Sequence, residues 1–191
     1  MDVGHAAVPV AFGSAALVQH APSFDEVYEH HFDFVWRSAR RLGVDPSSVD
    51  DVVQEVFVVV HRRLSSVSFE STMKAWLYGV TVGVVRNHLR SIRRRGHGEP
   101  LSEQLVADAA SPSDRLLLNE AAQALHSFLQ TLSDERREVF VMVDLEQESV
   151  ASTAAALAIN ANTAQGRLRA AREELDKFLQ RRRAAESRRN A

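Results

Sequence analysis

The sequence predicts an all-α chain of two small helical domains joined by a flexible acidic linker. Three observations predict it. Apolar residues recur at the 3.6-residue period almost from end to end. One stretch, GHGEPLSEQLVADAASP from Gly96 to Pro112, breaks that period with Gly, Pro, Ser and acids. Beyond it, a short helix, a three-residue turn and a long basic helix close the chain. The 191 residues, 45% hydrophobic, suffice for one sizeable core or two small ones. No repeat is visible.

Each element has its own signal. Residues 1–22 lack a basic n-region and are broken by Pro9, Gly13 and His20, which predicts a disordered leader rather than a signal peptide. Phe24, Tyr28, His31, Val35, Ala39 and Leu42 then mark a first helix, ended by Gly43. Val49, Val52, Val53, Val56, Phe57, Val60 and Leu64 mark a second, with Ser47 as its expected N-cap and Asp50 and Asp51 in its first turn. The third, KAWLYGVTVGVVRNHLRSIRRR from Lys74 to Arg95, is rich enough in valine and glycine to pass for a strand. Its length decides for helix, since strands rarely run about twenty residues without a turn.

After the linker, Leu118, Ala121, Ala122, Leu125, Phe128, Leu129 and Leu132 mark a fourth helix. Ser133 opens a fifth, through about Leu145, and Ser149 caps a short sixth that ends near Leu157. A tight turn at Ala158-Ile159-Asn160 precedes a long seventh, from Thr163 onward, with Ala164, Leu168, Ala171, Leu175 and Phe178 inward. The expected boundaries are a leader at 1–22, a first domain at 23–95, a linker at 96–113, a second domain at 114–182 and a basic tail at 183–191.

Charge is unevenly spread. The net charge is −2, yet residues 71–98 carry six Lys/Arg and no acid, and residues 167–191 carry nine bases against four acids. Two basic stripes in an otherwise acidic chain point to two polyanion contacts, with the acidic parts facing another partner. The bland alternative is a set of solvated helix ends that complement the helix dipole. There are no cysteines, which excludes disulfides and thiolate metal sites and fits a reducing cytoplasm. The longest apolar run, Ala75 to Val85, is too short to cross a bilayer, so no membrane insertion is expected.

Three constellations could carry function. The last two helices and their turn make a helix-turn-helix. On the second of them Asn162, Thr163, Gln165, Gly166 and Arg169 fall outward, flanked by Arg167 and Arg172. Gln and Asn can pair with adenine and Arg with guanine in the major groove, while flanking arginines suit phosphates. The second helix carries an outer strip of Asp51, Gln54, Glu55, Val58, Val59 and Arg62, acids beside exposed valines, which suits a protein partner. The third sets Trp76 and Tyr78 ahead of Arg86, Asn87, Arg90 and Arg93 to Arg95. Aromatic and basic residues on one element can stack unpaired bases and track a backbone, although a Trp in the position of Trp76, taken alone, is more often core. Metal and hydrolytic chemistry find no framework: there is no HExxH, no phosphate loop and no Ser/His/Asp set, so neither a cofactor nor an enzyme is expected.

These pieces, in this order, resemble a bacterial RNA polymerase sigma factor of the extracytoplasmic-function (ECF) group. DDVVQEVFVVVHRRL and the Lys74–Arg95 segment match its first domain; LSDERREVFVMVDLE and SVASTAAALAINANTAQGRLRAAREEL match its second. The resemblance covers roughly Phe24 to Leu179 and implies a polymerase-binding helix at Asp50, Asp51, Gln54, Glu55 and Phe57. It implies capture of a flipped −10 base by the Ser65–Thr72 loop, with Ser68, Phe69 and Ser71, and further −10 contacts from Trp76, Arg86, Asn87 and Arg90. It also implies −35 reading by Asn162, Thr163, Gln165, Arg167, Arg169 and Arg172. Core RNA polymerase and promoter DNA are the implied partners, and an anti-sigma factor is a third class the resemblance admits. There are departures: Ala158, Asn162 and Gln147 stand where the family often has Gly, Ala164 where it often has Val, and the −10 loop lacks the usual Gly and basic residues. The alternative is an ordinary helix-turn-helix regulator with a sensing domain, which would bind duplex DNA alone as a symmetric dimer.

Overall fold

The structure is a computed structural model and describes residues 22–66, 72–95 and 112–189. The leader through residue 21, the loop residues Ser68, Phe69 and Ser71, the linker between residues 96 and 111 and the last two tail residues lie outside them. Seven α-helices make up the described chain: α1 Phe24–Arg41, α2 Val49–Arg63, α3 Met73–Arg95, α4 Pro112–Thr131, α5 Asp134–Phe140, α6 Val150–Ala156 and α7 Ala161–Arg189. The fold is all-α, as the periodicity predicts, and α3 is helical despite its glycines and valines.

A capping box starts α1: Ser23 Oγ accepts from Glu26 N, and Ser23 N donates back to Glu26. The buried face is Val27, Phe34, Val35, Ser38 and Ala39. Tyr28, expected inward, is 42% exposed. The stripe is turned by about one residue, because Tyr28 packs its ring on the rim against Phe32 and Phe57 rather than in the core. Gly43 ends the helix at φ +101, where Val44 N reaches back to Ala39 O at 3.1 Å.

In α2 the predicted valines are all buried, with Phe57 at 4% exposure. The cap differs from expectation. Pro46–Ser48 forms a 3₁₀ turn, and Asp45, not Ser47, is the capping acceptor, receiving Ser47 N at 2.9 Å. A proline at the start of that turn favours it, and it delays the α-helix to Val49. In α3 the apolar first half supplies Ala75, Leu77, Tyr78, Val82, Val84 and Val85 to the core, and Thr72 Oγ1 caps by accepting from Ala75 N at 3.1 Å.

The second unit packs α5 and α6 on α7, burying Val139, Phe140, Val141 and Met142 against Ala164, Leu168 and Ala171. The π-helical turn Val141–Leu145 completes the fifth helix to its predicted end. Two residues take left-handed backbone, Gln147 at φ 60 and Ala158 at φ 53. These are two of the positions where glycine was noted as usual, and the geometry gives the reason: a Cβ there crowds the following carbonyl. Ala158→Gly and Gln147→Gly should each stabilise the protein by about 1 kcal/mol in urea unfolding. A loss of stability in both would mean that these side chains contribute more than the strain they impose.

The two units form one body with a continuous core. Tyr78 of α3 is fully buried, and its hydroxyl donates to Glu138 O of α5 at 2.7 Å. Burial, then the Glu138 carboxylate, pushes the Tyr78 phenol well above its ordinary pKa. Arg137, 6% exposed, donates to three carbonyls: Leu129 and Leu132 of its own unit and Leu42 of the first. At Gly79 the backbones of α3 and α6 approach so closely that an added Cβ would run into the carbonyl oxygen of Ala156.

Candidate nucleic-acid and protein interfaces

The helix-turn-helix is built as its sequence predicts. Ser149 Oγ caps α6 by accepting from Ser152 N at 3.0 Å. Asn160 Oδ1 accepts from Asn162 N at 2.8 Å, so α7 begins at Ala161, two residues earlier than the sequence suggested. Ala164, Leu168 and Ala171 point into the core, which leaves Asn162, Thr163, Gln165, Gly166 and Arg169 exposed on the opposite face. Arg169 is lightly held by Glu173 one turn on, at 3.0 Å.

The flanking arginines differ from one another. Arg172 makes a bidentate pair with Asp144 at 2.6 and 3.0 Å, and hydrogen bonding to that carboxylate raises its pKa. Arg167 is half-buried, and one of its terminal nitrogens is buried with no hydrogen-bond partner.

On α2, Asp50, Asp51, Gln54, Glu55, Val58 and Arg62 are exposed, as expected for a docking strip, and Asp50 accepts from Trp36 Nε1 at 3.1 Å. Val59 is only half-buried. Phe57, which the resemblance counts among the polymerase-binding residues, is a core residue, as its place in the apolar stripe predicts. It floors a groove of about 660 Å³ with Phe24, Tyr28, Phe32, Val58 and His61 on its walls. The rings interlock there, Phe32 stacked on Phe57 at 6.2 Å and Phe24 edge-on to His61 at 5.1 Å. An exposed apolar groove rimmed by charge is the kind of surface that suits a protein partner.

On α3 the predicted −10 residues part company. Asn87 and Arg90 are exposed and lie side by side, with Asn87 Oδ1 accepting from Arg90 at 3.4 Å. Trp76 is half-buried beside Val80, Gly83 and Asn87 in a cleft of about 500 Å³ that Ala155 and Ala156 of α6 close from the far side. Arg86 is exposed, with 41% of its side chain open to solvent, yet it is held by Glu138 through two hydrogen bonds of 2.6 and 2.5 Å. Hydrogen bonding to Glu138 raises the Arg86 pKa further, against the opposing effect of burial.

Sequence reasoning missed four participants. Glu146 of the second unit holds two cations of the first: Arg41, and Lys74 at 3.0 Å to its carboxylate and 2.7 Å to its backbone oxygen. Glu138 holds Arg86. For Lys74 the signal was present, a lone cation at the head of an apolar run. Nothing in the local pattern distinguishes Glu138, Glu146 or Arg41.

A helix-turn-helix with an exposed polar reading face, behind a helical unit with its own basic strip, is the build of a DNA-binding transcription protein. Two descriptions of one family match: Sigma-70 region 2 over residues 27–95 and Sigma-70, region 4 over residues 122–175. The ECF RNA polymerase sigma factor SigM of Mycobacterium tuberculosis is 28% identical over 157 residues, covering 82% of this chain and 77% of that relative. The ECF RNA polymerase sigma-E factor of Escherichia coli is 26% identical over 146 residues, 72% of this chain and 76% of its own. Among solved structures, CnrH in complex with the cytosolic domain of CnrY aligns at a TM-score of 0.61 and 25% identity, covering 82% of this chain and 87% of that one. The sigma factor RpoE of Bartonella quintana, in complex with the anti-sigma factor NepR, shares the fold at a TM-score of 0.69 and 19% identity, covering 82% and 96%. The chain belongs to the sigma-70 family, in its ECF group. It directs promoter-specific initiation of transcription.

Proposed function

We propose that the two units divide this work as their surfaces suggest. The α2 strip, Asp50, Asp51, Gln54 and Glu55, with the groove floored by Phe57, takes core RNA polymerase. Trp76, Arg86, Asn87 and Arg90 of α3, with the 65–72 loop, take the −10 element and help to open it. Asn162, Thr163, Gln165 and Arg169 of α7 read the −35 element, while Arg167 and Arg172 hold its phosphates. The boundaries 23–95, 96–113 and 114–182 delimit the first unit, linker and second unit. The chain itself carries no catalytic step and works in the cytoplasm; no described helix is long and apolar enough to cross a membrane. A third partner is an anti-sigma protein, a reading supported by the aligned complex of CnrH with the cytosolic domain of CnrY and that of RpoE with the anti-sigma factor NepR.

The observation that carries the reading is the face of α7, where polar base-readers stand exposed over a buried Ala164, Leu168 and Ala171. The test is transcription: purified protein added to core polymerase should give promoter-dependent transcripts, and neither component alone should. Binding of duplex by the free protein as a dimer, without polymerase, would refute the reading. Within α7, Arg169→Ala should cost about 1–3 kcal/mol of promoter binding and relax preference at one or two −35 positions. Arg172→Ala should instead weaken all sequences alike and lower the salt slope by about 1. Identical changes in preference for both variants would show that base and phosphate contacts have been assigned wrongly.

A further inference from the structure

Of the three large hydrophobic side chains that stand exposed among the described residues, two, Tyr28 and Val58, line the groove between α1 and α2. Phe24, Phe32 and Phe57 extend its apolar lining, and their rings contact that of Tyr28 or one another. Phe24 meets His61 at one end of the groove, and Asp50 marks the other. At the α-helical rise, α2 covers about 16 Å between Asp50 and His61. The chain enters α1 at the Phe24 end, where Ser23 caps the helix, and residues 1–21 precede it. Asp2 is the only Asp, Glu, Lys or Arg ahead of Asp25. Between residues 6 and 18, all but Gly13 and Ser14 are Ala, Val, Pro, Phe or Leu. An apolar, uncharged stretch of the chain therefore adjoins an apolar groove that no described residue fills.

We propose that residues 6–18 turn back through residues 19–22 and seat in the α1–α2 groove of the free chain, with Phe12, Leu17 and Val18 against Tyr28, Phe57 and Val58. Four residues are enough for the reversal. They bring Val18 to the Phe24 end, and the extended chain from there back to Phe12 spans about 20 Å, enough to run the groove. Charge agrees with this occupant. The rim carries Asp50, His61 and Arg62, and a segment without charged groups buries none beside them. Covalent attachment supplies the rest: a short connection holds the segment at an effective concentration of about 1 mM, so a contact too weak for a separate peptide suffices. The inference rests on the proposed function only for the partner that replaces the segment, core polymerase. Asp51 and Glu55, which do not line the groove, stay open to that partner throughout.

The test uses the full chain without polymerase. As the protein has no cysteine, Ser14→Cys can carry a single nitroxide spin label in isotope-labelled protein. The amide signals of Tyr28, Phe57 and His61 should then be broadened away in the NMR spectrum. The triple variant Phe12→Ser/Leu17→Ser/Val18→Ser keeps the attachment and the net charge while removing the anchors, and it should restore those signals. Val58→Glu, a change on the exposed groove wall, should restore them independently. It adds a charge where the apolar segment would sit. Signals that are never broadened would refute the seating. Broadening that persists in either variant would reduce the effect to the nearness of an attached chain and overturn the proposal. Equal broadening from a nitroxide carried on a separate copy of the protein would give the groove to a second molecule, and that too would overturn it. No polymerase is present, so a failure of core-dependent transcription would count against the proposed function and leave the seated segment standing.

Discussion

Arg137→Ala is expected to lower the stability of the protein by about 3–5 kcal/mol, because it leaves buried acceptors without a donor and a guanidinium-sized void. The wild-type side chain satisfies Leu129 O at 2.7 Å, Leu132 O at 3.0 Å and Leu42 O at 3.1 Å, and almost none of it meets water. Burial lowers its pKa, so the site already opposes the charge; the carbonyls and Asp134 hold it there. Arg137→Lys keeps the charge but replaces a three-nitrogen fork with one ammonium, and should recover only part of the loss. Urea unfolding followed by far-UV circular dichroism measures both. A loss below about 1 kcal/mol for Arg137→Ala would mean that water satisfies those carbonyls without help.

The second large effect falls on assembly rather than stability. Reversing charge at two exposed positions, Asp51→Lys with Glu55→Lys, should weaken the complex with core polymerase by about 100-fold or more, since like charges then face each other across the interface. Both side chains are solvent-exposed, so the melting temperature should move by no more than a few degrees. Sedimentation or anisotropy of labelled protein with core enzyme reads the affinity. Wild-type affinity in the double variant would take α2 out of the interface.

Much of this was legible in the sequence because it is local. The valine face of α2, the α6–α7 turn and the outward residues of α7 follow from a 3.6-residue period and two caps, all within a few residues of one another. The left-handed positions at Gln147 and Ala158 were marked by departures from glycine. Tyr28 was misplaced because an aromatic on the rim of a groove has the same spacing as one in the core. Ser47 was misplaced because Pro46 starts a 3₁₀ turn and Asp45 takes the cap. The interface between the units was illegible for a different reason. Glu138 meets Arg86 across 52 residues of sequence, and Glu146 meets Lys74 and Arg41 across 72 and 105. Charge blocks show that bases and acids are segregated, but not which acid finds which base.

The seat of Tyr78 has a consequence for synthesis on the ribosome. Its hydroxyl donates to Glu138 O, and the carbonyl of Ala156 sits against Gly79, and both partners are made well after α3 is complete. Between the end of α3 at Arg95 and the end of α6 at Ala156 lie about 60 residues, some 3–12 s of translation at typical bacterial rates. For that interval the nascent first unit presents Tyr78, Arg86 and Lys74 uncovered. The face of α3 that carries Tyr78 and Gly79 is therefore synthesised before the residues that pack on it.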